Sequence, residues 1–258
     1  MKIDMHVHSR YSHDGCMSPE DLIAAARRAG LNGAAVCDHN TLAGSKAAQA
    51  VCPDDFLIIP GAEYSTDVGH VLAYFIDEGA EDADLPRLAD GRFVFEELAR
   101  FVRARDGLLV LAHPLRHRSD LPEELLRAFD GLEVFNARQM ARYPRTTAPM
   151  LRAADRPVDG RARMRLLTAG SDAHRPCEVG GAYVELHAET AEGVRAALLS
   201  GRYICRGRPA RRRHEAIGRM GGHGVSGLPR DLARLAVFTL RDVWDTRPGG
   251  REWREWNR

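Results

Sequence analysis

Lysine is almost missing from this chain: of 37 basic residues only Lys2 and Lys46 are lysine, and the rest are arginine. A modified lysine bridging two metals at a strand end is thereby excluded, since neither position ends an expected strand. Long apolar runs are missing too. None approaches the ~18 residues of a membrane helix, and the first residues lack the basic-then-apolar pattern of a signal peptide. A cytoplasmic protein without membrane contact is expected. No C-x-x-C pair occurs; Cys16, Cys37, Cys52, Cys177 and Cys205 are scattered and odd in number, which points to reduced thiols. Aromatic residues are scarce, at 7%, and are not interleaved with basic ones as on a nucleic-acid stacking surface. Internal repeats and heptads are absent.

What is present describes a globular enzyme-sized chain. Its 258 residues suit one large domain, and 44% hydrophobic with 28% charged residues excludes disordered and fibrous classes. The net charge of +1 hides an asymmetry, because residues 206–258 hold 13 arginines against 6 acids, leaving +7 there and −6 in residues 1–205. We read residues 1–207 as the main domain and 208–258 as a basic, partly helical extension, with a helix at 230–243. The basic extension suits an anionic partner, although an arginine-rich solvated face is the more ordinary reading.

Short apolar runs bounded by Gly, Pro, Asp or Asn at 3–7, 34–37, 56–60, 70–75, 108–112, 131–135 and 166–169 read as buried strands, with a further strand at 181–187 outside the seven. Helices are expected at 18–30, 92–105, 121–129, 139–154 and 190–200. The first is the plainest: Ser18 caps it, Pro19 opens it and Gly30 stops it. Alternating strands and helices predict an α/β fold with a mostly parallel sheet, wound or closed inside a helical layer. Between Glu63 and His70 there are only six residues, too few for a crossover helix, so that strand pair is predicted antiparallel.

Histidines and acids follow these strands. His6 and His8 end the first, Asp38 and His39 follow the second, Glu63 the third; His70 opens the fourth, His113 ends the fifth, and Asp172 and His174 follow the seventh. Carboxyl ends of parallel strands gather at one face, so these side chains are expected to converge. H-x-H on a strand directs both imidazoles to one side. Imidazole and carboxylate together suit Zn, Mn or Fe ions without choosing among them. Any one of these residues has an ordinary reading as a turn or core group; six of the chain's 11 histidines falling at strand end after strand end do not.

The segments "HVH" with its downstream "DG", "CDHNT", "GAEYS", "GHVLAYF", "AHP" and "GSDAH" resemble, in order, the motifs of the PHP (polymerase and histidinol phosphatase) family over about residues 1–207. The resemblance implies a distorted (β/α)7 TIM-like barrel and a metal-dependent phosphoesterase. It implies three divalent ions: one on His6, His8, Glu63 and Asp172; a second sharing Glu63 and taking His70 and His113; a third on Asp14, His39 and His174. At the third, His13 stands beside Asp14 as an alternative ligand, Asp14 being preferred because "DG" fits the motif.

On this reading Glu63, Asp172 and His174 are the catalytic residues, and the ions activate water against a phosphate monoester of a small metabolite or nucleotide. Arg116, Arg138 and Arg175 are candidate phosphate contacts. Asp38 and Asn136 are expected to orient ligands rather than bind metal, as is Glu133, while His117, His187, His214 and His223 read as surface or packing residues. Three alternatives stand beside this: a 5'-3' exonuclease acting on short nucleic acid, a Glu-bridged amidohydrolase, and a metal-binding module without turnover. Oligomeric state is not legible.

Overall fold

The computed structural model describes residues 1–116, 121–142, 166–210 and 254–257. Its strands are β1 (Lys2–Val7), β2 (Gly33–His39), β3 (Leu57–Thr66), β4 (Gly69–Tyr74), β5 (Leu108–Leu111), β6 (Gly131–Asn136), β7 (Leu166–Gly170), β8 (Ala182–Leu186), β9 (Tyr203–Gly207) and β10 (Arg254–Asn257). They form one sheet in the order β10-β9-β8-β1-β2-β3-β4-β5-β6-β7. β1 to β3 run parallel, as do β5 to β7, while β4 is antiparallel to both its neighbours. The tight β3–β4 hairpin closes at Thr66 and Gly69, where Gly69 takes a φ of 111° that side-chain-bearing residues avoid.

The sheet curls until its far strand returns to its first. Asp172 N donates to His6 O and His8 N to Ala173 O, both at 2.8 Å, so β1 meets the segment leaving β7. The result is an α/β fold with a nearly closed, distorted seven-stranded barrel of the TIM type. β8 pairs with the opening residues of β1, beside that closure, and carries β9 and β10 outward.

Helices α1 (Pro19–Arg28), α2 (Ala43–Ala50), α3 (Phe95–Arg103), α4 (Glu123–Arg127), α5 (Ala137–Arg142) and α6 (Ala191–Ser200) flank the strands. α1 forms as its sequence predicts: Ser18 Oγ accepts from Asp21 N at 3.1 Å, acids open the helix and arginines close it. Its buried Leu22, Ile23 and Ala26 pack on Val7, Ala34, Val36 and Ile58, while Ile3, Met5, Ala35, Cys37 and Ile59 belong to the second, larger core. β2 therefore alternates between two apolar layers, as a strand covered on both faces must.

Some expectations need correction. The helix expected at 92–105 begins at Phe95, because Phe93 bridges to Thr66 and is drawn into the sheet. That expected at 121–129 shortens to α4, behind Pro122 at its N-cap. α2, β9 and β10 were not anticipated: α2 has Leu42 at its N-cap with no side-chain cap. The expected helix at 139–154 starts earlier, at Ala137; the rest of it, and the helix at 230–243, lie outside the described residues. Among the described residues no helix is long and apolar enough to cross a membrane, and the five cysteines form no disulfide.

Candidate metal centre

Every ligand candidate named from the sequence lies at the mouth of the barrel. A cavity of about 440 Å3 is lined by His13, Asp14, His39, Glu63, His70, His113, Asp172 and His174, together with Arg116, Arg138, Arg175, Asn40 and Ser65. His6 and His8 are fully buried behind this lining, against Glu63 and Asp172. β1 delivers this pair through a bulge: it carries one residue more than β2 between Asp4 and Val7. Val7 faces α1, and the histidines on either side of it turn inward.

Glu63 is the hub. Its Oε1 lies 2.8 Å from both His70 Nδ1 and His113 Nε2. Its Oε2 is buried without a hydrogen bond, although His8 Nε2 and His6 Nε2 stand 3.4 and 3.5 Å away and His39 Nδ1 stands 2.9 Å away, off the hydrogen-bonding direction. Asp172 Oδ1 approaches His8 Nε2 to 3.3 Å and His6 Nε2 to 3.9 Å. Asp14 is half-exposed, with Oδ2 3.0 Å from His174 Nε2 and Oδ1 3.6 Å from His39 Nε2. His13 is exposed and touches the cluster through its ring, 5.2 Å from that of His39.

Charge in this cluster is divided by proximity. Burial pushes Glu63 upward, but His70, His6, His113 and His39 hold it well below the ordinary carboxylate value. Asp172 follows the same pattern, held down by His6, His8 and His174 against its burial. Burial also opposes the charge of His6, yet Glu133, Glu63 and Asp172 keep it well above the usual imidazole value. His8, buried beside His174, His6 and His39, falls well below it.

These residues fit divalent ions. Glu133 Oε1 lies 2.9 Å from His6 Nδ1, so that nitrogen donates and Nε2 is left to face His8 Nε2 at 3.0 Å. Glu63 Oε2 and His174 Nε2 are buried without hydrogen bonds beside the same cluster. Ligand atoms of His6, His8 and Glu63 lie within 4.8 Å of one another, as do those of His8, His39 and His174, of His39, Glu63 and His70, and of His13, Asp14 and His39. Imidazole nitrogens and carboxylate oxygens packed this closely, with Glu63 Oε2 and His174 Nε2 lacking hydrogen bonds, form a donor set that a divalent cation satisfies by displacing the protons they share. His39 belongs to three of the four groups, whereas the expected assignment gave it to one ion.

The sequence model of the PHP domain matches residues 4–113, spanning His6 to His113, and that of the PHP-associated segment matches residues 163–203, with Asp172 and His174. This chain belongs to the PHP family. The uncharacterized protein MJ0417 of Methanocaldococcus jannaschii is 31% identical over 194 residues, 72% of this chain and 70% of that one. A 5'-3' exoribonuclease of Haemophilus influenzae is 40% identical over 67 residues, 26% of this chain and 24% of the nuclease. Among solved structures, a two-domain protein of Bacteroides vulgatus containing a predicted PHP-like metal-dependent phosphoesterase superposes with a TM-score of 0.62 at 18% identity, over 80% of this chain and 64% of that one.

In this PHP domain the supporting groups are as ordered as the ligand candidates. Glu133 Oε2 accepts from His113 N at 2.8 Å and Asn136 Nδ2 at 3.0 Å, and the same amide reaches Asp172 Oδ2 at 3.3 Å. Asn136 thus links Glu133 to Asp172. Asp38 does not touch a ligand side chain; it accepts from Ser9 N, Ser9 Oγ and Ser12 Oγ. Arg138 lines the cavity with its Nη1 engaged, 2.9 Å from His174 Nδ1 and 3.3 Å from Glu178 Oε2. Ser9, Ser12 and Glu178 were missed in the sequence. Ser9 and Ser12 stand within four residues of His8, which was the available signal; Glu178, which accepts from His174 N at 2.9 Å, gave none beyond its nearness to "SDAH". His187 is exposed, while His117, His214 and His223 lie outside the described residues.

Proposed function

We propose that this PHP protein hydrolyses phosphate monoesters of a small metabolite or nucleotide, using three divalent ions of the Mn, Fe or Zn type. One observation carries the reading: ligand atoms lacking hydrogen-bond partners converge in a small cavity whose wall also holds Arg116, Arg138 and Arg175. His6, His8, Glu63 and Asp172 would hold one ion, Glu63 with His70 and His113 a second, and Asp14, His39 and His174 a third. When bound, such ions offset the charge of phosphate oxygens and make water a nucleophile near pH ~7.

The chain's own residues do the rest. Arg116 and Arg175 bind phosphate oxygens by charge-assisted hydrogen bonds. His174 would offer Nε2 in the form whose Nδ1–H donates to Asp172 O at 2.9 Å, with the charge of Arg138 held beside it by Glu178. Glu63 and Asp172, kept ionised by the surrounding imidazoles, hold the reacting groups at the floor. The amidohydrolase reading with a lysine bridge has no lysine to use: Lys46 is exposed on α2, Lys2 lies against Tyr183, and neither lines the cavity. Exonuclease action on short nucleic acid is the second reading, supported by the likeness to the Haemophilus exoribonuclease.

The test is metal analysis followed by phosphate release from a panel of sugar phosphates, nucleotides and 5'-phosphorylated oligonucleotides with Mn2+ added. We expect release from small monoesters, abolished by Glu63→Ala and by Asp172→Ala. Full activity in both variants would overturn the proposal, nucleotides shed from oligonucleotides alone would favour the nuclease, and bound metal without turnover a metal-binding module.

A further inference from the structure

Ser12 sits in the loop between β1 and α1, 3% exposed, and its hydroxyl touches two groups at the end of β2 and one just beyond β1. It lies 2.8 Å from Asp38 Oδ1, 3.0 Å from His39 N and 3.0 Å from His8 Nδ1. A hydroxyl has one proton and two lone pairs. The backbone N–H of His39 can only donate, so it occupies one lone pair. Asp38 already accepts from Ser9 N at 2.7 Å and Ser9 Oγ at 2.6 Å and acts as an acceptor throughout, so the Ser12 proton goes to it. The remaining lone pair faces His8 Nδ1, which must therefore carry a hydrogen.

We infer that Ser12, oriented by Asp38, is a positioning residue that fixes His8 in its Nδ1–H form and leaves Nε2 bare toward His6, Glu63 and Asp172. The same oxygen anchors the backbone of His39, so one hydroxyl aligns ligand candidates from β1 and β2. Asp38 is itself held in place: α2 comes so close that a Cβ on Gly44 would stand 1.8 Å from Asp38 Oδ2 and 2.5 Å from Ser9 Oγ. Glu133 likewise holds the Nδ1–H of His6, so the two Nε2 atoms face each other at 3.0 Å, a separation that a proton on His6 bridges and that a cation can take over by displacing that proton.

The inference rests on reading His8 as a metal ligand, and its test separates the two. Long-range proton–nitrogen spectra of the metal-free full-length protein, with His8 assigned by its own substitution, report the tautomer directly. Wild type is expected as Nδ1–H, Ser12→Ala as mainly Nε2–H, and Ser12→Thr, which keeps the hydroxyl, as wild type. Calorimetric titration with Mn2+ should show affinity falling about 10–100-fold in Ser12→Ala, the usual cost of removing such a partner. An Nε2–H tautomer in wild type overturns the inference whether or not any variant folds, and so does an unchanged tautomer or affinity in Ser12→Ala. Wild-type protein that binds no Mn2+ overturns the ligand reading instead, leaving the tautomer to judge Ser12.

Discussion

At the scale of single residues, a proton and a metal ion compete for the same atoms. His6 is buried, yet Glu133, Glu63 and Asp172 raise its proton affinity well above that of a free imidazole. Only an imidazole nitrogen without its proton binds a metal, so binding must release protons. The sign follows: His6 is protonated below its raised value, and metal affinity falls as the pH drops. Mn2+ titrations at about pH 6 and pH 8, each in two buffers of different ionisation heat, should show tighter binding and net proton release at the higher pH. Affinity that does not change with pH would contradict this account of the cluster. Asp14 behaves in the opposite sense: His174, His39 and His8 outweigh its partial burial and hold it ionised, ready as a ligand across that range.

At the scale of elements, the barrel closes where its chemistry is. Asp4 is fully buried in β1; its Oδ1 accepts from Ser171 N at 2.8 Å and His6 N at 3.2 Å, and its Oδ2 from Gly180 N at 3.0 Å. The carboxylate thereby ties β1 to the segment bearing Asp172 and His174. Asp4→Ala would leave buried N–H groups without acceptors, at ~1–3 kcal/mol each. Urea unfolding of the metal-free protein should show a loss of about 2 kcal/mol or more. Gly170 at the end of β7 meets β1 with no room to spare, because a Cβ there would lie 2.3 Å from His6 Cβ and 2.8 Å from His6 N. Gly170→Ala must push the strands apart, which we expect to cost ~1–3 kcal/mol and to weaken Mn2+ binding as well. Unchanged stability and affinity would show that the closure is looser than these distances imply.

At the scale of the whole molecule, the proposed ligands come from β1 and the loop after it, from the end of β2, from within β3, from the start of β4 and from the segments after β5 and β7, so bound ions would join the barrel across its mouth. Binding to the folded state alone stabilises it by ~2.7 kcal/mol at a hundredfold excess over Kd. A higher unfolding temperature with Mn2+, reversed by a chelator and absent in Asp172→Ala, is the expected result. Much of this was legible from local pattern. Short β-branched runs, the H-x-H spacing and the six-residue gap before His70 determine most strands, facing direction and hairpin, where sterics and period dominate. β3, expected at 56–60, instead runs on to Thr66 because its second half pairs with β4, which puts Glu63 inside the strand and not after it. Other features were not. α2 has no capping side chain to announce it. Ser12 and Asp38 are 26 residues apart and His6 and Glu133 are 127 apart, so no window along the chain links them. The sequence by itself determined which residue types stand at the strand ends and that those ends share a face. Only the tertiary structure decided which carboxylate or hydroxyl orients each imidazole, because those contacts exist only once the sheet has curled and β7 has met β1.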